Sequence, residues 1–210
     1  MMEMQLAGEM DLVVDRQGFG SLLGLLSGGV GVPAPAGCDL DTFFHRCLGL
    51  DPDYAATRVR TVFLNGRPVD DTARAVLAPG DEVALSTAMP GLVGICMRRD
   101  SPIRSFRRDI THDPRDEKAP AAQEGETIPV TVRLFNFIAL EIGPGLLDRG
   151  VHVSGERLAR AMADGVSILD AALDGVTVDP GQVRDAAKRA GAALFFLRVK
   201  KGGGRAANRD

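Results

Sequence analysis

Arg98, Arg99, Arg104, Arg107 and Arg108 set five cations around one aromatic ring, Phe106. Such a cluster can dock an acidic protein face or RNA. The formal net charge of the whole chain is −3. RNA binding relies on neutralising phosphates with a surplus of Lys and Arg, so the acidic protein face is the better candidate. Cys38, His45 and Cys47 are metal-ligating residue types in one neighbourhood. His45 and Cys47 are two apart on an expected helix and do not share a face, and no second ligand pair lies nearby. His112 and His152 have no nucleophile or orienting carboxylate evident beside them. Gly18, Gly20 and Gly24 are spaced one residue too widely for a dinucleotide loop. No nucleophile elbow, phosphate-binding loop or zinc-protease motif occurs, so the chain is expected to be non-enzymatic, with no cofactor and no metal.

The elements that position these residues follow a repeat. Leu64-Asn65-Gly66-Arg67-Pro68-Val69-Asp70-Asp71 is echoed by Leu173-Asp174-Gly175-Val176-Thr177-Val178-Asp179-Pro180, identical at four of eight positions. Asn-Gly and Asp-Gly tolerate positive φ and predict tight hairpins. A short Ala/Arg-rich helix is expected after each hairpin, at 72–78 and 182–190, then a Gly, then an apolar strand. Leu22 to Phe44 can be laid beside Leu140 to Met162 by pattern.

Further elements follow from local signals. Asp11 to Val14 reads as a strand, Gly18 to Leu26 as an apolar turn or short helix, and Gly29 to Gly37 as extended at best. Asp39 or Asp41 can cap a helix through Phe43, Phe44 and Cys47, which Gly49 ends. Asp51-Pro52-Asp53 reads as a turn. Val130 to Phe135 and Gly150 to Val153 read as strands, with Gly143-Pro144-Gly145 a break between them. Ser154 caps a helix to Met162.

At 210 residues the chain lies between one and two domains, and 45% hydrophobic with 25% charged residues is an ordinary globular balance. Three cysteines without framework spacing fit a reduced, cytoplasmic setting. The apolar stretch from Gln17 to Cys38 is preceded by acidic residues and interrupted by Gly and Pro, which argues against a secretory signal or membrane span. The expected organisation is a first unit at 1–97, a charged linker at 98–126, a second unit at 127–204 and a flexible tail at 205–210.

The run Phe63-Leu64-Asn65-Gly66-Arg67-Pro68-Val69, followed by Pro79-Gly80-Asp81-Glu82-Val83-Ala84-Leu85 and Met89-Pro90-Gly91, resembles the MoaD/ThiS family of ubiquitin-like β-grasp sulfur carriers. The resemblance covers 55–94 well and 1–54 poorly, and the second unit shares it in Val132-Arg133-Leu134-Phe135 and Gly150-Val151-His152-Val153. It implies an α+β fold of two tandem β-grasp units, each a small mixed sheet packed on one helix. It also implies a protein-binding module tied to sulfur transfer or cofactor biosynthesis, with an adenylating or sulfur-transfer enzyme as partner. In the family a C-terminal Gly carboxylate is activated as an acyl-adenylate and becomes a thiocarboxylate. The first unit continues past Gly94 and has no such terminus. The second ends Gly202-Gly203-Gly204 before Arg205, so the alternative is a carrier precursor trimmed to end at Gly203 or Gly204.

Overall fold

The computed structural model describes residues 5–87, 89–113, 125–163 and 165–202. Gly203, Gly204 and the tail beyond them lie outside the described residues, as does the middle of the expected linker. The fold is mixed α+β, and the chain divides into two compact units: residues 1–25 with 144–210, and residues 26–143. This differs from the sequential division expected above. The physical reason is strand pairing between segments far apart in the chain.

Unit 26–143 holds five strands: β2 (Val30–Pro35), β3 (Thr61–Leu64), β4 (Arg67–Pro68), β5 (Glu82–Ser86) and β6 (Thr127–Leu134). Their spatial order is β4-β3-β5-β6-β2. β4–β3, β3–β5 and β6–β2 are antiparallel, and β5–β6 is parallel. Val62, Leu64, Val83, Leu85, Val132 and Leu134 alternate onto one face and are buried, as period-2 patterning dictates. Asp39 settles the capping alternative: its side chain accepts from Thr42 N at 2.7 Å and starts α2 (Leu40–Thr42). The chain then winds as a π turn at Phe43–Cys47, which buries Phe43 and Phe44. Asp51 is not merely in a turn. It caps α3 (Pro52–Thr57), with Pro52 at the first helical position.

The helix expected at 72–78 does not form. Ala75 and Leu77 are buried at alternate positions, Leu40 N donates to Ala75 O at 2.9 Å, and Leu77 N donates to Cys38 O at 2.9 Å. Burial with period 2 overrides the helical preference of the alanines.

Unit 1–25 with 144–210 also holds five strands: β1 (Leu6–Val14), β7 (Val151–Ser154), β8 (Ile168–Leu173), β9 (Val176–Thr177) and β10 (Leu194–Lys201). Their order is β7-β10-β1-β8-β9. β9–β8, β8–β1 and β10–β7 are antiparallel, and β1–β10 is parallel. The sequence of directions along the sheet is the same in both units. The strand beside the hairpin is β5 in one and the N-terminal β1 in the other.

The apolar stretch after β1 forms α1 (Arg16–Ser27), along which the chain passes from one unit to the other. Gly143 does not break the chain but opens α6 (Gly143–Arg149). Ser154 caps α7 (Gly155–Ala161), its hydroxyl accepting from Arg157 N. Asp179 and Gln182 form a capping box at the start of α8 (Pro180–Ala190). α7 packs against α8 and α8 against β8.

Candidate functional site

The arginine stretch is not a free linker. After β5 the chain forms α4 (Gly91–Met97) and a 3-10 segment, Arg104–Ile110, and the two pack together in unit 26–143. Arg107 is the latch and is 2% exposed. Its Nε donates to Cys96 O at 2.8 Å, Nη1 to Thr111 Oγ1 at 2.8 Å, and Nη2 to Asp70 Oδ1 at 2.5 Å and Arg98 O at 3.1 Å. The planar guanidinium fork suits such a spread of acceptors. The expectation that Arg107 faces a partner is therefore corrected, because its donors are turned inward.

Arg99 is half-buried and donates to Ala55 O at 3.0 Å and Thr72 Oγ1 at 3.3 Å. Burial pulls its pKa below the usual arginine range. Arg98 pairs with Asp100, which also pairs with Arg60. Arg104 and Arg108 remain exposed, with Asp109 beside them.

What this latch displays is apolar. Phe106 is 85% exposed and Leu92 73% exposed, and Val93, Ile95 and Ile110 are also open to solvent. On α5 (Asn136–Glu141) of the same unit, Phe137 and Leu140 are exposed as well. Among the described residues, eight of the exposed large hydrophobics fall in this unit and three in the other, so the unit carries apolar side chains that its described fold leaves open. The sequence reading named Phe106 but missed Leu92, Val93 and Ile95. The readable signal was an apolar run, Leu92 to Met97, placed just after a closing strand.

The cysteine and histidine candidates are accounted for inside the same unit. Burial, then the neighbouring Cys47 and Asp39, push the Cys38 thiol up to about 11. Burial also raises the Cys47 thiol. Both shifts disfavour the thiolate, the form that would attack or ligate. His45 Nδ1 lies 2.8 Å from Leu50 O, and the backbone N–H of His112 donates to Pro68 O at 2.8 Å. Among the described residues no three His, Cys, Asp or Glu side chains gather as a metal site. His152, in the other unit, has its ring centroid 5.3 Å from that of Phe196, and burial lowers its pKa.

The glycine tail is rooted in unit 1–25 with 144–210. Gly202 N donates to Val14 O at 2.8 Å, continuing the β1–β10 ladder by one residue. A Cβ at Gly202 would run into Leu169 Cδ1. Leu169 is exposed and its side chain can move aside, so packing does not by itself require glycine at 202, while Gly203 and Gly204 lie outside the described residues.

Both units repeat a constellation that the sequence reading did not contain. Asn65 N donates to Glu82 O at 2.8 Å, and Glu82 N donates to Asn65 Oδ1 at 2.9 Å. Asp174 N donates to Glu9 O at 3.0 Å, and Glu9 N donates to Asp174 Oδ1 at 2.8 Å. The same two glutamates receive an arginine from the parallel neighbour strand: Arg133 to Glu82 at 2.9 Å, and Arg198 to Glu9 at 2.8 Å. Arg198 also pairs with Asp11 and lies 5.3 Å from the Phe196 ring centroid.

The geometry defines a mixed α+β protein in which each unit contributes five strands of like pattern, and unit 26–143 displays exposed apolar side chains beside a buried arginine. No protein-family model, curated protein or solved structure matches the chain. Among the described residues no helix is long and apolar enough to cross a membrane.

Proposed function

We propose that this chain is a non-enzymatic protein-binding module built on two β-grasp-like units of MoaD/ThiS character. Its partner is seated on α4 and the 3-10 segment. The observation that carries the reading is the pairing of a rigid base with an apolar display: Arg107 is buried in four hydrogen bonds while Phe106 beside it is 85% exposed. A preformed aromatic anchor loses little conformational freedom on binding and suits an interface hot spot. Arg104 and Arg108 flank the patch, so the complementary face is an apolar pocket rimmed by carboxylates, as on an adenylating or sulfur-transfer enzyme.

The β-grasp reading is supported by the strand pattern. In each unit a parallel central pair is flanked by antiparallel strands, with an Asn-Gly or Asp-Gly hairpin at one edge. Co-purification from native cells with Leu92→Asp/Phe106→Asp beside the unaltered chain tests the docking reading. Loss of a stoichiometric acidic partner with retained fold is expected, and retention of that partner overturns it.

The alternative, a carrier trimmed at Gly203 or Gly204, is favoured by one observation: Gly202 extends the central strand β10 and leads straight into the glycine run. Intact mass of the protein from its own cells tests it. A chain ending at Gly203 or Gly204, with one oxygen replaced by sulfur, is the expected form, and a chain ending at Asp210 overturns it.

A further inference from the structure

Behind α4 lies a cavity of about 440 Å³ with Phe63, Ala84, Val93 and Phe135 among its walls. That volume lies within the roughly 300–1,000 Å³ of small-molecule sites. In register, Phe63 stands opposite Ala84 and Thr61 opposite Ser86. Alternation along the strands places all four on one face of the sheet, opposite the buried Val62, Leu64 and Val83, and Leu85 also borders the cavity.

The cavity has one polar end. Ser86 is buried there, and Asn136 Nδ2 donates to its Oγ at 2.9 Å. Asn136 holds a φ of +54°, a conformation that costs a non-glycine residue energy and is kept where the surroundings demand it. No residue lining the cavity is ionisable. A charged guest would lose its hydration with nothing to replace it, whereas a neutral one would not.

We propose that this cavity binds a neutral, largely apolar small molecule with one hydrogen-bonding group. Its apolar body lies among Phe63, Val93 and Phe135, and its polar end meets Ser86 and Asn136. The site shares Val93 of α4 with the docking surface, while Phe106 and Leu92 do not line it.

The test is a fluorescence titration of the full chain with N-phenyl-1-naphthylamine, a neutral apolar probe carrying one N–H. Saturable binding at one equivalent is expected, with the anionic 8-anilino-1-naphthalenesulfonate at least tenfold weaker. Ala84→Phe places a ring in the cavity and weakens the neutral probe at least tenfold. Val93→Trp narrows it from the exposed side and does the same should Ala84→Phe fail to fold. Ser86→Ala, which removes the hydroxyl at the polar end, weakens it about threefold or more. Absence of saturable binding, equal binding of the anion, or unchanged affinity in the folded cavity variants overturns the site. Unchanged affinity in Ser86→Ala overturns its polar end.

Discussion

Unit 26–143 and unit 1–25 with 144–210 use the same sheet pattern but complete it differently. In the first, the strand beside the hairpin, β5, follows that hairpin after a short connection. In the second, β1 comes from the other end of the chain, and α8 occupies the connection instead. The two turns are nearly superposable in type. Asn65 and Gly66 have φ of 51° and 77°, and Asp174 and Gly175 have 49° and 77°. The comparison teaches that a hairpin specifies its own turn and the residue it grips, Glu82 or Glu9, but not where in the chain that residue must come from. The second difference bears on the proposed binding. Only unit 26–143 carries α4, the 3-10 segment and their exposed apolar side chains, so the element absent from its counterpart is the one assigned to binding.

The largest expected effect breaks the unit that has the latch. Arg107→Met removes a buried cation and leaves Asp70, Cys96 O and Arg98 O without their donor. A loss of about 3–5 kcal/mol is expected in chemical denaturation. The same substitution at exposed Arg108 changes stability by less than about 0.5 kcal/mol.

The hairpins sharpen the likeness between the units. Asn65→Ala and Asp174→Ala each lose a side-chain acceptor and place alanine at positive φ, costing about 1–2 kcal/mol apiece. Costs of similar size are expected from the shared acceptor geometry, with Asn65→Ala the larger because its Nδ2 also donates to Asp81 Oδ1 at 2.8 Å. A cost at only one site would separate the units.

The smallest effect is in pH. The hydrogen bond from Arg198 holds the Asp11 carboxyl below its ordinary value, with the charges of Arg198 and Lys200 helping and burial opposing. A carboxyl with a depressed folded pKa contributes stability that is fully present above its unfolded value of about 4 and is lost as pH falls further. Thermal unfolding followed from about pH 6 to pH 3 should decline less steeply in Asp11→Asn than in the unaltered chain. The aspartate is partly exposed, so salt should shrink the difference.

Local features were legible in the sequence. Both hairpins, the Asp39 and Ser154 caps and the second helix of the echo follow from residues within four positions of each other. The candidates at 98–108 were legible as charge and not as architecture. Arg107 is buried because Asp70, 37 residues away, receives it, and nothing local to Arg107 announces that. The 72–78 segment failed for the same reason: its alanines favour helix, but its pairing with 38–40 is set by burial. The division into units was hidden most deeply, because β1 and β10 meet across nearly the whole chain.

The most direct test of the binding assignment is site-specific photocrosslinking in native cells. A benzophenone amino acid is placed at Phe106 in one unit and, as the matched control, at Leu169, which is 57% exposed in the other. A single discrete adduct from position 106, absent from position 169 and abolished by Leu92→Asp, is the predicted result. No adduct at 106, or the same adducts from both positions, would contradict the assignment of binding to α4 and the 3-10 segment.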